Sequence, residues 1–149
     1  MKLELIAFTQ RGNALAEQLA KTLSDRGHQA FCTRDGLKAE AWAERAFSRS
    51  EGLIFVGATG IAVRSIAPHL RHKCTDPAVV VVDEGGQFVI PILSGHLGGA
   101  NDLAREIAVL TGAVPVITTA TDVNGVFAVD QWARRQGLMV CNPERILSV

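Results

Sequence analysis

Apolar positions along this chain switch repeatedly between two periods. An apolar run over residues 3–8 predicts a strand. After Thr9-Gln10-Arg11-Gly12-Asn13, which reads as a turn, Leu15, Ala16, Leu19, Ala20 and Leu23 recur at helical spacing. Gly27 stands where a left-handed glycine ends such a helix. Residues 29–32 predict a second strand, and residues 39–47 a second helix with Trp42, Ala43, Ala46 and Phe47 on one face. Residues 53–56 form a buried-type strand that runs into Gly57-Ala58-Thr59-Gly60, and a third helix is expected from Ile61 until Pro68 stops it. The arms 79–82 and 88–90 flank Asp83-Glu84-Gly85-Gly86-Gln87, the composition of a hairpin loop, and Pro91 places the end of the second arm at an edge or a bulge. A helix with Ala100, Leu103, Ala104, Ile107 and Ala108 inward is closed by Gly112. Residues 114–117 predict a strand, 118–125 a polar loop, 127–136 a helix and 138–141 a last strand. Asn142 and Pro143 then read as cap and first residue of another helix.

Strands alternating with helices over short links predict an α/β fold. Its sheet is mostly parallel with helices on both faces, and one antiparallel hairpin lies near residues 79–93. Two small α/β lobes, residues 1–56 plus 125–149 and residues 57–124, are an alternative division of the same elements. At 149 residues the chain can bury a sizeable core without a metal or disulfide staple. Fifteen Lys and Arg balance fifteen Asp and Glu, which argues against a partner held through many phosphates, so no nucleic acid is expected. An anionic ligand would have to be met by local positive charge. The apolar runs are strand-length, so no membrane partner is expected. The first residues lack the pattern of a secretory leader. Cys32, Cys74 and Cys141 are odd in number and form no C-x-x-C pair, which points to the reducing cytoplasm.

The strongest candidate site is Ser94-Gly95-His96-Leu97-Gly98-Gly99-Ala100-Asn101. Glycines between a strand and a helix let the backbone approach a ligand, and the helix start offers N–H groups to a phosphate, a carboxylate or a developing oxyanion. The bland alternative is that these glycines only let strand and helix pack closely. His96 favours function, since an imidazole can serve as acid, base or donor. The run matches neither dinucleotide nor Walker fingerprint. Gly57, Thr59 and Gly60, followed by Arg64, form a second strand-to-helix crossing. Both turns are expected at the carboxyl ends of parallel strands, in one crevice. Thr118, Thr121 and Asp122 come from a hydroxyl-rich loop, where Asp122 can orient His96 or activate water. Residues 68–74 are basic but lack a second ligand pair, so no metal site is expected. Trp42 and Trp132 read as core.

At Gly57-Ala58-Thr59-Gly60-Ile61-Ala62-Val63-Arg64, at Asp76-Pro77-Ala78-Val79, at Pro115-Val116-Ile117-Thr118-Thr119-Ala120-Thr121-Asp122, and above all at residues 94–101, the sequence resembles the CbiG family of cobalamin biosynthesis, the cobalt-precorrin-5A hydrolases. The resemblance implies opening of a ring-A δ-lactone on a cobalt corrinoid and release of acetaldehyde. It implies no cofactor of the protein's own, the cobalt belonging to the substrate. On that basis His96 would do acid/base work, the Gly98 and Gly99 amides would hold an oxyanion or carboxylate, and Arg64 would pair with a substrate carboxylate. Gly95, Ser94, Asn101, Thr59, Thr118 and Thr121 would line the site. Members of that family continue into a C-terminal domain absent from these 149 residues, so such a domain or a second copy is an expected partner. A rival from another class is a non-catalytic module that binds a carboxylated tetrapyrrole or a nucleotide for a partner.

Overall fold

The computed structural model describes residues 1–34 and 36–142. Its strands are β1 (Lys2–Ala7), β2 (Gln29–Cys32), β3 (Gly52–Val56), β4 (Ala78–Val82), β5 (Phe88–Leu93) and β6 (Val114–Pro115). The helices are α1 (Gln10–Asp25), α2 (Ala39–Arg49), α3 (Thr59–Ile66), α4 (Ala100–Thr111), α5 (Ala120–Val123) and α6 (Val129–Arg135), with a 3-10 turn at Ala67–His69. All six strands join one sheet in the order β2-β1-β3-β4-β5-β6. The pairs β1–β2, β1–β3, β3–β4 and β5–β6 are parallel; β4–β5 is antiparallel. β3 and β4, which the two-lobe division would separate, are hydrogen-bonded neighbours from Gly52↔Ala78 to Val56↔Val82.

The continuous apolar runs follow from burial on both faces. Every residue of β3 and β4 is buried. One face packs Leu3, Leu5, Ile54, Val80 and Val82 under α1 and α4; the other packs Ile6, Leu53, Phe55, Val79 and Val81 under α2 and α3. Trp42 of α2 meets Phe55 edge-on, with ring centroids 5.0 Å apart, and its Nε1 donates to Thr33 Oγ1 at 3.0 Å. Between β4 and β5 a bulge sets Val79 opposite Leu93 but Val80 opposite Pro91, leaving Ile92 as the extra residue. Pro91 lies past the two residues of β5 that pair with β6, so its missing donor falls on an unpaired stretch of edge.

Several local expectations are corrected. Residues 10–13 are helical, because Thr9 caps α1 by accepting from Gly12 N at 3.0 Å. The strand expected over 114–117 is two residues long, extended by one bond from Val116 N to Val89 O. α5 lies within the expected loop 118–125. Residues 138–141 form no strand, since β6 occupies only the first two residues at that edge of β5 and no further edge pairs with them. Trp132 is 47% exposed and not core, because α6 buries only Asp130 and Ala133. The helix expected from Asn142 and Pro143 lies outside the described residues. Among the described residues no helix is long and apolar enough to cross a membrane.

One carboxylate is fully buried in this core. Glu4 lies in the middle of β1 at 0% exposure and receives a two-point clamp from Arg49 at the end of α2, with Nε to Oε1 at 2.7 Å and Nη2 to Oε2 at 2.6 Å. Ser50 Oγ donates to the same carboxylate. Burial pulls the Glu4 pKa upward, but the hydrogen bonds from Arg49 and Ser50, with the charges of Arg49 and Lys2, outweigh it and hold it below the ordinary range. Arg49→Ala would strand this charge and is expected to cost about 3–5 kcal/mol in urea unfolding at neutral pH. Glu4→Gln, which removes the charge instead, should cost less; an equal loss in both variants would contradict the clamp.

Candidate functional site

The antiparallel step at β4–β5 decides where the two glycine turns emerge. Val56 pairs with Val82, and Val82 with Val89, so Gly57 leaves β3 at the end of the sheet that carries the 83–87 hairpin loop. Leu93 pairs with Val79 at the other end, and Ser94 follows it there. The expected common crevice is therefore corrected: Gly57, Thr59, Gly60 and Arg64 do not meet residues 94–101. Arg64 is exposed on α3. Asp83, in the hairpin loop, accepts from the backbone N–H groups of Gly85, Gln87 and Phe88, an acid spent on its own turn. A cleft of about 800 Å³ at the carboxyl ends of β1 and β2, lined by Phe8, Thr9, Asn13, Glu17, Thr33 and Arg34 among others, has no counterpart in the sequence reading.

At the other end the chain builds a polar cluster. Ser94 adopts a left-handed φ of 57°, and its Oγ donates to the Asp76 carbonyl at 2.9 Å. The loop then folds onto the start of α4: Gly99 N donates to His96 O, Ala100 N to Ser94 O and Asn101 N to Gly95 O, at 3.0–3.1 Å. The amide expected at Gly99 as an oxyanion donor is thus already committed. These glycines make room. A Cβ at Gly98 would overlap the Ser94 side chain, and one at Gly99, whose φ is +85°, would overlap the Arg134 guanidinium.

β6 runs parallel to β5, so the chain beyond it reaches the same end and brings Asp122 to His96. His96 Nε2 lies 2.8 Å from Asp122 Oδ2 and 3.1 Å from Thr121 Oγ1, while Nδ1 lies 3.3 Å from Asp130 Oδ1. Thr119 Oγ1 donates to Asp122 Oδ2 at 2.6 Å, and Asn101 Nδ2 donates to Thr119 Oγ1 at 2.9 Å and to Asp122 Oδ2 at 3.2 Å. Arg105 pairs with Asp122 Oδ1. Burial raises the Asp122 carboxyl, but hydrogen bonds from Thr119, His96 and Arg105 and the charge of Arg105 carry it well below the usual carboxylate range. A carboxylate so fully occupied is a weak base. Of its two expected roles, Asp122 suits orienting His96 rather than activating water.

Beside the cluster opens a cleft of about 500 Å³, walled by Leu97, Val126, Phe127 and Val129, with Ser94, Gly95, His96, Thr121, Asp130 and Lys73 also lining it. Thr118 is exposed and lies outside both the cluster and the cleft. In the basic segment 68–74, the His72 ring accepts from Cys74 N at 3.2 Å, and among the described residues no three His, Cys, Asp or Glu gather to hold a metal ion. Sequence reasoning missed Arg105, Thr119 and Asp130 as site residues. Arg105 stands four residues after Asn101 on one helix face, and Thr119-x-x-Asp122 has capping-box spacing, so both carried a signal. Asp130 carried none, because only α6 docking brings it to His96.

Residues 41–122 match the family described as Cobalamin synthesis G N-terminal, a span that includes both glycine turns and Asp122. The chain is 51% identical over 136 residues to the cobalt-precorrin-5A hydrolase of Salmonella typhimurium, covering 87% of this chain and 38% of that protein. It is 48% identical over 103 residues to the cobalt-precorrin-5A hydrolase of Priestia megaterium, covering 69% of this chain and 28% of that protein. The crystal structure of a cobalamin biosynthesis protein G homolog from Sulfolobus solfataricus matches with a TM-score of 0.66 at 26% identity, over 99% of this chain and 44% of that one. The chain spans less than half the length of these relatives.

Because Asp122 has a lowered pKa in the folded protein, its contribution to stability is complete above the ordinary carboxylate range and is lost as pH falls below about 4. Asp122→Asn is expected to lower the unfolding free energy by about 1–3 kcal/mol at neutral pH. The difference from the unsubstituted protein should shrink in acid, as followed by urea unfolding across pH. A difference that stays constant into acid would show that the carboxylate charge is not what holds the cluster.

Proposed function

Since the chain belongs to the Cobalamin synthesis G N-terminal family, we propose that it takes part in hydrolysis of the ring-A δ-lactone of cobalt-precorrin-5A, releasing acetaldehyde and giving cobalt-precorrin-5B. The observation that carries this reading is a histidine gripped by an ionised carboxylate, His96 Nε2 to Asp122 Oδ2 at 2.8 Å, at the edge of a cleft with apolar walls. Lactone opening adds water across an ester bond. It needs a group to take the proton from that water and return one to the leaving oxygen. His96 is assigned that work at Nδ1, which faces Asp130 at 3.3 Å without a hydrogen bond; Asp122, on Nε2, sets the ring's orientation and stabilises it when charged, as the carboxylate does in a hydrolytic triad. Leu97, Val126, Phe127 and Val129 are assigned to exclude water from the face of the macrocycle, and Lys73, which also lines the cleft, to pair with one of its carboxylates.

In this reading the cobalt enters with the substrate, and no cofactor of the protein's own is invoked. The setting is the cytoplasm, which the free thiols of Cys32, Cys74 and Cys141 suit. A further domain or a second copy of this chain is proposed to complete the enclosure of so large a ligand.

A second reading rests on the opposite end of the sheet. There the 800 Å³ cleft adjoins the point where the strand order reverses between β1 and β3, the usual ligand crevice of open α/β sheets. On that reading the chain holds the tetrapyrrole without acting on it through His96. The two readings separate on one variant. His96→Ala is expected to lower acetaldehyde release from cobalt-precorrin-5A by about 100-fold or more while the corrinoid absorbance titration changes little. Near-normal release by a folded variant would remove His96 from the chemistry and favour the other crevice.

A further inference from the structure

α6 forms one wall of the His96 cleft, yet it buries only two of its own residues, Asp130 and Ala133. Apolar packing of that extent does little to hold a seven-residue helix in place. Its attachment is ionic. Asp102, in the first turn of α4, accepts from Arg135 Nη2 at 2.7 Å and Nε at 3.4 Å, from Arg134 Nη1 at 3.2 Å and from Gln131 Nε2 at 3.4 Å, all from α6. The same carboxylate accepts from Arg105 Nη1 at 3.2 Å, and Arg105 in turn holds Asp122. Arg134 reaches Asp102 across Gly99, where any side chain would obstruct it. The segment that carries α6 is bounded by Gly125 and Gly137, both left-handed at φ 62° and 68°, a conformation glycine adopts without strain.

We propose that Asp102 is a positioning residue for the His96 cleft: it latches α6 onto α4, which sets Asp130 against His96 Nδ1 and, through Arg105, steadies Asp122 against Nε2. One carboxylate thus coordinates both sides of the imidazole without touching it. The latch is partly solvent-exposed, with side-chain exposures of 28% for Asp102, 29% for Arg134 and 54% for Arg135, so salt competes with it directly. Release would swing Val129 and Asp130 out of the cleft wall and open it to a bulky ligand. Closure would bring Asp130 back beside Nδ1 and keep Asp122 on Nε2.

The latch is read without substrate by hydrogen exchange. Its consequence for turnover rests on the proposal that the His96 cleft is the substrate site. In Asp102→Asn, amides of residues 129–135 are expected to exchange about tenfold faster, while those of β1, β3 and β4 keep their protection. About 1 M NaCl, where screening reaches in to about 3 Å, should loosen the same residues in the unsubstituted protein and add little to the variant. Asp102→Glu, which keeps the charge, should restore most of the protection. In acetaldehyde release, Asp102→Asn should lower kcat/KM about tenfold, and high salt should reproduce much of that loss in the unsubstituted protein. Unchanged exchange at 129–135 in Asp102→Asn would overturn the latch, as would a rise shared equally by the sheet. If His96→Ala retains turnover while Asp102→Asn still loosens α6 alone, the latch stands and the assignment of the active cleft is what fails.

Discussion

The organisation of this protein depends on one reversal of chain direction, the antiparallel pairing of β4 with β5. Up to β4 the chain follows the parallel order β2-β1-β3-β4, with each helix returning it to the same end of the sheet. The five-residue loop 83–87 returns it directly instead, so β5 runs the other way and the turn at Ser94 emerges where β3 and β4 begin. β6 then pairs parallel to β5, and residues 118–123 arrive at that same end. His96 and Asp122 meet because both follow strands on the reversed side. Gly57 to Arg64 follows a strand on the unreversed side and is carried away from them.

The loop 94–101 shows how a glycine-rich turn can serve geometry. The Gly99, Ala100 and Asn101 amides close onto the loop's own carbonyls, and its glycines leave space for Ser94, Asn101 and Arg134. The polar cluster is built from side chains that this tight loop places. Asn101, 1% exposed, ties the loop to Thr119 and Asp122, while Arg105 one turn later holds the other oxygen of Asp122. In a chain of zero formal net charge, these paired groups give the cleft its local polarity and leave the protein as a whole neutral.

Much of the fold was legible from periodicity, because β1, β3 and β4 are buried on both faces and their apolar runs have few other uses. Apolar faces on α1, α2 and α4 were equally plain, since Ala16, Leu19, Leu23, Trp42, Leu103 and Ile107 all recur at helical spacing. Periodicity weakened after Gly112. There β6 is two residues long, α5 is four, and Val123, Phe127, Trp132 and Met139 are exposed, so hydrophobicity no longer reports burial. Expectations of a longer strand, a core Trp132 and a final strand failed in that stretch for this shared reason.

By itself, the sequence determined the α/β class, the hairpin and the extents of most elements, and it named His96, Asp122, Asn101 and Thr121 among its candidate residues. Those are consequences of local patterning and residue chemistry, which need no knowledge of which strand lies beside which. Only the tertiary structure decided that the two glycine turns occupy opposite ends, that the Gly99 amide is spent inside its own loop, that Asp130 lines the His96 cleft, and that Asp102 gathers Gln131, Arg134 and Arg135 of α6. Such facts arise from strand direction and helix docking. Both are set by contacts between segments far apart in the chain, and no local pattern of residues encodes them.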